Sequence, residues 1–122
     1  MSENLEIGNL GEDSACEYLS KNGYTILERN WHAGSLEIDI IALKKDILAI
    51  VEVKTRSANF MVSPQSAVTK SKQRNLVKAT EIYVEKKCRT EEIRFDIISV
   101  IINQGIVTNI EHIESAFYPT LR

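Results

Sequence analysis

Apolar and polar positions alternate along this chain in two different periods. Leu10, Ala15, Tyr18 and Leu19 recur at the spacing of one helix face, and Asn22-Gly23 supplies a C-terminal stop, so a first helix ends there. Tyr24 to Trp31 predicts a strand, His32 to Ser35 a loop, and the two strongly apolar runs Glu37–Leu43 and Ile47–Thr55 predict two more strands. Ser63-Pro64 has the form of a cap and first-turn residue opening a second helix, with Val68, Leu76, Ala79 and Tyr83 on its apolar face. Ile93–Ile102, the turn Asn103-Gln104-Gly105 and Ile106–Ile113 predict a closing hairpin. The order helix, three strands, helix, two strands implies an α/β fold: a mixed sheet flanked by helices, because the helix before the fourth strand permits a parallel crossover.

The 122 residues, 43% hydrophobic and 26% charged, are expected to form one domain spanning the whole chain. The longest unbroken apolar run, Ile47–Val51, is far below the roughly 20 residues of a bilayer span, and the acidic N-terminal stretch lacks a secretory pattern. A soluble, cytoplasmic protein is the expectation. Cys16 and Cys88 form no CxxC pair and signal neither zinc nor a disulfide framework.

Chemistry enters with the charges inside the apolar runs. Asp39 interrupts one strand, and Glu52 and Lys54 stand near the end of the next. Buried charges need partners, and the side-chain period of two makes strand register easy to test. A turn at Lys45-Asp46 sets Asp39 opposite Glu52, Glu37 opposite Lys54, Ile41 opposite Ile50 and Leu43 opposite Leu48. On the other face Ile38, Ile40 and Ala42 then meet Val53, Val51 and Ala49. A three-residue loop, Lys44–Asp46, would instead oppose Asp39 to Val51 and Glu52 to Ile38, and patterning rejects it.

Directly opposed residues have Cβ atoms roughly 4.5 to 5.5 Å apart, where two carboxylates repel unless a proton or cation lies between them. Hard oxygen ligands suit Mg²⁺ or Mn²⁺, which use few protein groups, and the backbone carbonyl of Val53 is a further candidate ligand. Lys54, two residues from Glu52, shares its face roughly 6.6 to 6.8 Å along the strand, within reach of a phosphate. Such a set can hydrolyse a phosphodiester. From charges alone, a surface salt-bridge cluster in which Lys54 neutralises Glu37 and Glu52 stands beside that reading.

Net charge changes the picture only locally. At −2 the chain as a whole is a poor match for a polyanion. Between Lys54 and Lys78, however, lie six basic residues (Lys54, Arg56, Lys70, Lys72, Arg74, Lys78) and no acidic one, leaving nine basic against seventeen acidic elsewhere. That segment is the candidate surface for nucleic acid, or simply a solvated helix face.

IDIIA followed by VEVKTR resembles the bipartite D…ExK signature of the PD-(D/E)XK nuclease superfamily. More narrowly, Gly11-Glu12, Ala15, Tyr18-Leu19, Gly23-Tyr24, Arg29-Asn30, Glu37-Ile38-Asp39, Glu52-Val53-Lys54, Lys72, Leu76, Ala79, Tyr83 and Arg94-Phe95-Asp96 resemble the YraN-like family of endonuclease-like proteins related to Holliday junction resolvases. The resemblance implies a restriction-endonuclease-like αβββαβ core, Mg²⁺ or Mn²⁺ ligation by Asp39 and Glu52, and a catalytic role for Lys54. It also implies that Glu12 reaches the site from the first helix, directly or through water, and that Lys72 or Gln73 approaches from the second. By itself Glu12 reads equally as an acid favoured near a helix N-terminus, and Lys72 as a solvent-exposed lysine. DNA, branched or otherwise structured, is the implied partner, and a symmetric homodimer would suit a junction. Leu36 stands where that family usually has glycine, and Ile38 where the superfamily is named for proline.

Other chemistries find no support. His32 and His112 have no HxxxH or Cys companion and are read as non-catalytic, and no GxxxxGK[ST] or GxGxxG is present. Tyr24, Trp31 and Phe60 are assigned to packing rather than base stacking. Asp96, in an apolar strand, buttresses the site or caps a turn and is left out of the ligand set.

Overall fold

The computed structural model describes residues 3–57 and 68–118, with side chains described from residue 9 onward. The elements are α1 (Glu3–Lys21), β1 (Thr25–Ala33), β2 (Leu36–Lys44), β3 (Ile47–Ser57), α2 (Lys70–Lys87), β4 (Glu92–Asn103) and β5 (Ile106–Phe117). The strands form one sheet in the order β1-β2-β3-β4-β5, antiparallel throughout except for the parallel pair β3 and β4. The expected α/β architecture is therefore the observed one, with α2 in the crossover that parallel pairing demands.

Each helix covers one face. Ala15 and Leu19 of α1 pack with Ile40, Ala42, Ala49, Val51, Ile98, Val100 and Ile102. On the opposite face Leu76, Ala79 and Tyr83 of α2 pack with Ile41, Leu48, Ile50 and Phe95. Both helices end on a left-handed residue, where main-chain donors can turn back onto the last carbonyls. After α1, Tyr24 N–H donates to the Leu19 carbonyl at 3.0 Å and Gly23 has φ 90°. After α2, Arg89 N–H donates to the Val84 carbonyl at 3.0 Å with Cys88 at φ 53°. Among the described residues no helix is long and apolar enough to cross a membrane.

Several expected boundaries move. His32 and Ala33 are not loop but strand, paired with Glu37 and Leu36, so the turn shrinks to Gly34-Ser35 with Gly34 in the left-handed region. Asn103 likewise pairs with Ile106, leaving Gln104-Gly105 as a tight turn with φ 52° and 78°, the signs that the right-handed twist of a hairpin favours. The proposed Ser63-Pro64 cap and Phe60 lie outside the described residues. The helix that is described starts at Lys70, with Thr69 Oγ1 accepting from Lys72 N–H at 3.1 Å. Val68 therefore precedes the helix, although it is buried as its apolar character requires.

The β2–β3 register is the one that patterning selects: Lys44 opposite Ile47, Leu43 opposite Leu48, Ala42 opposite Ala49, Ile41 opposite Ile50 and Ile40 opposite Val51. The expected pairs beyond it, Asp39 with Glu52, Ile38 with Val53 and Glu37 with Lys54, are not rungs of the ladder. Ile38 belongs to the α2-side cluster, whereas Ile40 and Ala42 belong to the α1 side, so alternation along β2 reverses at Asp39.

Candidate metal centre

The reversal coincides with the end of the β2–β3 ladder. Main-chain pairing reaches Ile40 and Val51; beyond it, Val53 N–H donates to Asp39 Oδ2 at 2.9 Å. A side-chain carboxylate thus occupies the place of the next rung. In an extended strand a residue's N–H and C=O leave on the same edge, so the Val53 carbonyl faces the Asp39 side of β3 as well. The expected opposition of Glu37 to Lys54 does not form, because the strands no longer run as a paired ladder there. Glu37 Oε2 lies instead 3.7 Å from His32 Nε2, and Lys54 Nζ 3.2 Å from Glu52 Oε2.

Glu52 is the most informative group. It is 4% exposed, on the central strand β3, between β2 and β4. Lys54 Nζ at 3.2 Å and Lys72 Nζ at 3.6 Å both approach its Oε2, while its Oε1 is buried without a hydrogen-bond partner. The lysines serve one oxygen of the carboxyl, and the other is removed from water without a hydrogen bond to replace it. Of the salt-bridge reading, the Lys54–Glu52 pair forms, but around a buried carboxyl and without Glu37.

Burial pushes the Asp39 carboxyl up to about 7; the charge of Glu52 adds to this, the Val53 N–H opposes it, and Glu12 and Glu37 contribute further in the upward direction. Asp39 thus senses the charge of Glu52, and among the described residues no cation pairs with Asp39 as the lysines pair with Glu52.

The helices supply the remaining candidates. Gly11 sits where α1 crosses β3: a Cβ there would collide with the Thr55 side chain, so only glycine allows this closeness. The next residue, Glu12, is 15% exposed at its side chain and accepts from Arg29 Nη2 at 3.1 Å and Asn30 Nδ2 at 2.8 Å. Lys72 reaches Glu52 from the first turn of α2, whereas Gln73 donates its amide to the Val68 carbonyl at 3.1 Å.

Sequence reasoning did not single out Arg29 and Asn30 as partners of Glu12. Asn30 has φ 50°, and only its residue type, one of the few that tolerate a left-handed backbone, hinted at it.

Asp39 and Glu52 are hard-oxygen donors just beyond the paired rungs of β2 and β3. Among the described residues no three Asp, Glu, His or Cys side chains converge as a metal cluster. A cation held here would therefore keep most of its shell as water, the habit of Mg²⁺ and a reason that two carboxylates suffice. The orphaned Glu52 Oε1 and the repulsion felt by Asp39 are both relieved by a positive charge at this spot. The donor set fits Mg²⁺ or Mn²⁺.

A second polar cluster lies on the α1 side of the sheet. Asp96 is 0% exposed, accepts from Arg94 Nη2 at 2.8 Å and from Ser115 N–H at 3.1 Å, and meets His112 Nε2 at 2.8 Å. Burial raises its pKa, but His112, Arg94 and the Ser115 N–H outweigh that and hold the carboxyl below its ordinary value. Arg94 also donates to Tyr24 OH, and the His112 ring stands edge-on to Tyr18 and Tyr24. Asp96 is opposite Val51, whose side chain is in the α1 cluster, whereas Glu52 meets Lys72 of α2. Asp96 and Glu52 are thus back to back across the sheet, and Asp96 ties β4 to β5.

The chain is similar to known proteins over nearly its entire length. A UPF0102 protein of Flavobacterium psychrophilum is 50% identical over 118 residues, 97% of this chain and 98% of that protein. One from Bacteroides fragilis is 47% identical over 121 residues, 99% of each, and one from Dictyoglomus turgidum 49% over 116, 93% of this chain and 98% of that protein. The model of the uncharacterised protein family UPF0102 matches residues 11–100, a span that includes Glu12, Asn30, Asp39, Glu52, Lys54 and Lys72. The chain belongs to the uncharacterised protein family UPF0102.

Proposed function

We propose that this chain is a Mg²⁺- or Mn²⁺-dependent nuclease that hydrolyses phosphodiesters of branched or otherwise structured DNA. The observation that carries the reading is the pairing of a buried, unpartnered Glu52 Oε1 with an Asp39 carboxyl lifted to about 7. A carboxyl perturbed as Asp39 is, beside a buried oxygen that lacks a hydrogen-bond partner, marks a candidate site that a ligand completes. The resemblance of EID…EVK to the PD-(D/E)XK signature, and an αβββαββ order of elements that contains αβββαβ, support the same reading.

Asp39, Glu52 and the Val53 carbonyl would hold the cation. When bound, a divalent ion neutralises the phosphate and acidifies a water. Lys54 and Lys72, each within 4 Å of Glu52 Oε2, are placed to release that oxygen and turn their ammonium groups toward phosphoryl oxygens. Glu12, held by Arg29 and Asn30, adds negative potential from the α1 side without contacting Asp39. Lys70, Arg74 and Lys78 extend the positive surface along α2, and the free Cys16 and Cys88 fit a reducing, cytoplasmic setting.

A second reading has an observation of its own. Two lysines on one carboxylate oxygen already neutralise Glu52, as they would in a non-catalytic nucleic-acid or protein binding module with a vestigial site. Cleavage of labelled single strands, duplexes, flaps and four-way junctions with Mg²⁺ and Mn²⁺ separates the two. Metal-dependent product that disappears in Lys54→Ala supports the nuclease. Binding of junctions without cleavage, unaffected by EDTA, supports the module and sinks the nuclease.

A further inference from the structure

The left-handed Asn30 lies in β1 between Arg29, paired with Ile40, and Trp31, paired with Ile38, and so stands across from Asp39. Both strands reverse their faces at this level. Arg29 reaches Glu12 and Asp13 of α1, while Trp31 packs edge-on against Tyr83 of α2. Ile40 and Ile38 divide between the same two sides. Regular alternation would have kept residues two apart on one face.

The consequence falls on Asp39. Where β1 and β2 turn over together, Asp39 leaves the alternating pattern and its carboxylate takes Val53 N–H across the open end of the β2–β3 ladder. The amide of Asn30 is tied to α1 through Glu12 Oε1 at 2.8 Å, which fixes the reversal to the helix that crosses β3 at Thr55. We infer that Asn30 is a positioning residue of the metal centre: its left-handed backbone turns Asp39 toward Glu52 and Val53. The inference rests on the metal reading above for its purpose, but the placement of Asp39 has its own readout. Strain of this kind, observed as a backbone outlier, persists when the surrounding structure maintains it.

The experiment uses the full chain with Asn30→Gly, which keeps the left-handed conformation without strain, and Asn30→Val, whose branched Cβ resists it. Asn30→Ala serves as the milder substitution should Asn30→Val not fold. Amide exchange at Val53 and Mn²⁺ affinity by calorimetry are measured below the melting temperature of each protein. The expected result is a Val53 amide protected in wild type and Asn30→Gly but exchanging at least about tenfold faster in Asn30→Val or Asn30→Ala, with Mn²⁺ affinity reduced in parallel by about tenfold or more. Rescue by glycine separates backbone placement from general loss of stability, since glycine adds no packing. Unchanged Val53 protection and unchanged Mn²⁺ affinity in Asn30→Val, or in Asn30→Ala if that is the variant that folds, overturn the inference. A wild type that binds no Mn²⁺ while the Val53 pattern holds overturns the metal reading instead and leaves Asn30 as the residue that places Asp39.

Discussion

Val53 N–H and Asp39 Oδ2 are 2.9 Å apart, and this bond stands where the β2–β3 ladder would have placed a main-chain carbonyl. A carboxylate built into a sheet in this way is held firmly by one donor yet remains open on its other oxygen. The same bond favours the charged form of Asp39, while burial and the charge of Glu52 favour the neutral one. The carboxyl is thus balanced between its neutral and charged forms.

Replacing it should reveal both. Asp39→Asn keeps an acceptor for Val53 N–H and removes the repulsion, so the metal-free protein should gain roughly 1–3 kcal/mol at pH 8. It should also lose any stabilisation by Mn²⁺. Urea unfolding with and without Mn²⁺ checks this; a variant still stabilised by the metal as wild type is would remove Asp39 from the ligand set.

The pH dependence has a definite sign. Asp39 has its folded pKa raised from 3.8 to about 7, so between those values the folded state binds more protons than the unfolded state. Its contribution to metal-free stability therefore falls as pH rises through that window. Metal affinity should move the opposite way, rising toward pH 8 as the proton leaves. Unfolding curves at pH 5 and pH 8, compared with Asp39→Asn, isolate the contribution.

Lys54 and Lys72 share Glu52 Oε2, at 3.2 and 3.6 Å, so either alone can keep the buried carboxylate partnered. Lys54→Ala or Lys72→Ala should cost about 1 kcal/mol in the metal-free protein, whereas the double variant should cost about 3–5 kcal/mol by stranding a buried charge. Mn²⁺ should offset much of that larger loss. Additive single losses in a double-mutant cycle would show that the lysines do not substitute for one another.

Asp96 should behave as a structural acid. Its stabilisation is present above its unfolded pKa and disappears as pH falls through the lowered folded value. Asp96→Ala leaves Arg94 and His112 without their buried partner and should cost about 3–5 kcal/mol, with Mn²⁺ binding retained in whatever protein folds. Loss of metal affinity at preserved stability would instead couple it to the centre across the sheet.

Cys88 occupies a left-handed position at the end of α2 with φ 53°, where glycine carries no Cβ penalty. Cys88→Gly should raise stability by about 1 kcal/mol, read as a higher urea midpoint at unchanged slope. A lower midpoint would indicate that the side chain or its thiol contact with the Glu85 carbonyl contributes more than the backbone strain removes.

The pairing of Ile40 through Lys44 with Ile47 through Val51 could be read from the chain alone, because a slip of one residue would turn every apolar side chain over. The order of elements follows from periodicity in the same way. Asp39, Glu52 and Lys54 announced themselves as charges inside apolar strands, where burial without a partner is expensive. What periodicity could not contain was its own interruption: the reversal at Asp39 depends on Asn30 adopting φ 50° across from it, a conformation that local sequence permits but does not require. The meeting of Lys72 with Glu52, and of Arg29 and Asn30 with Glu12, depends on how two helices dock on opposite faces of one sheet. Local patterning specifies which face a residue prefers; only packing of elements distant in the chain decides which charges share a place, and at what distance.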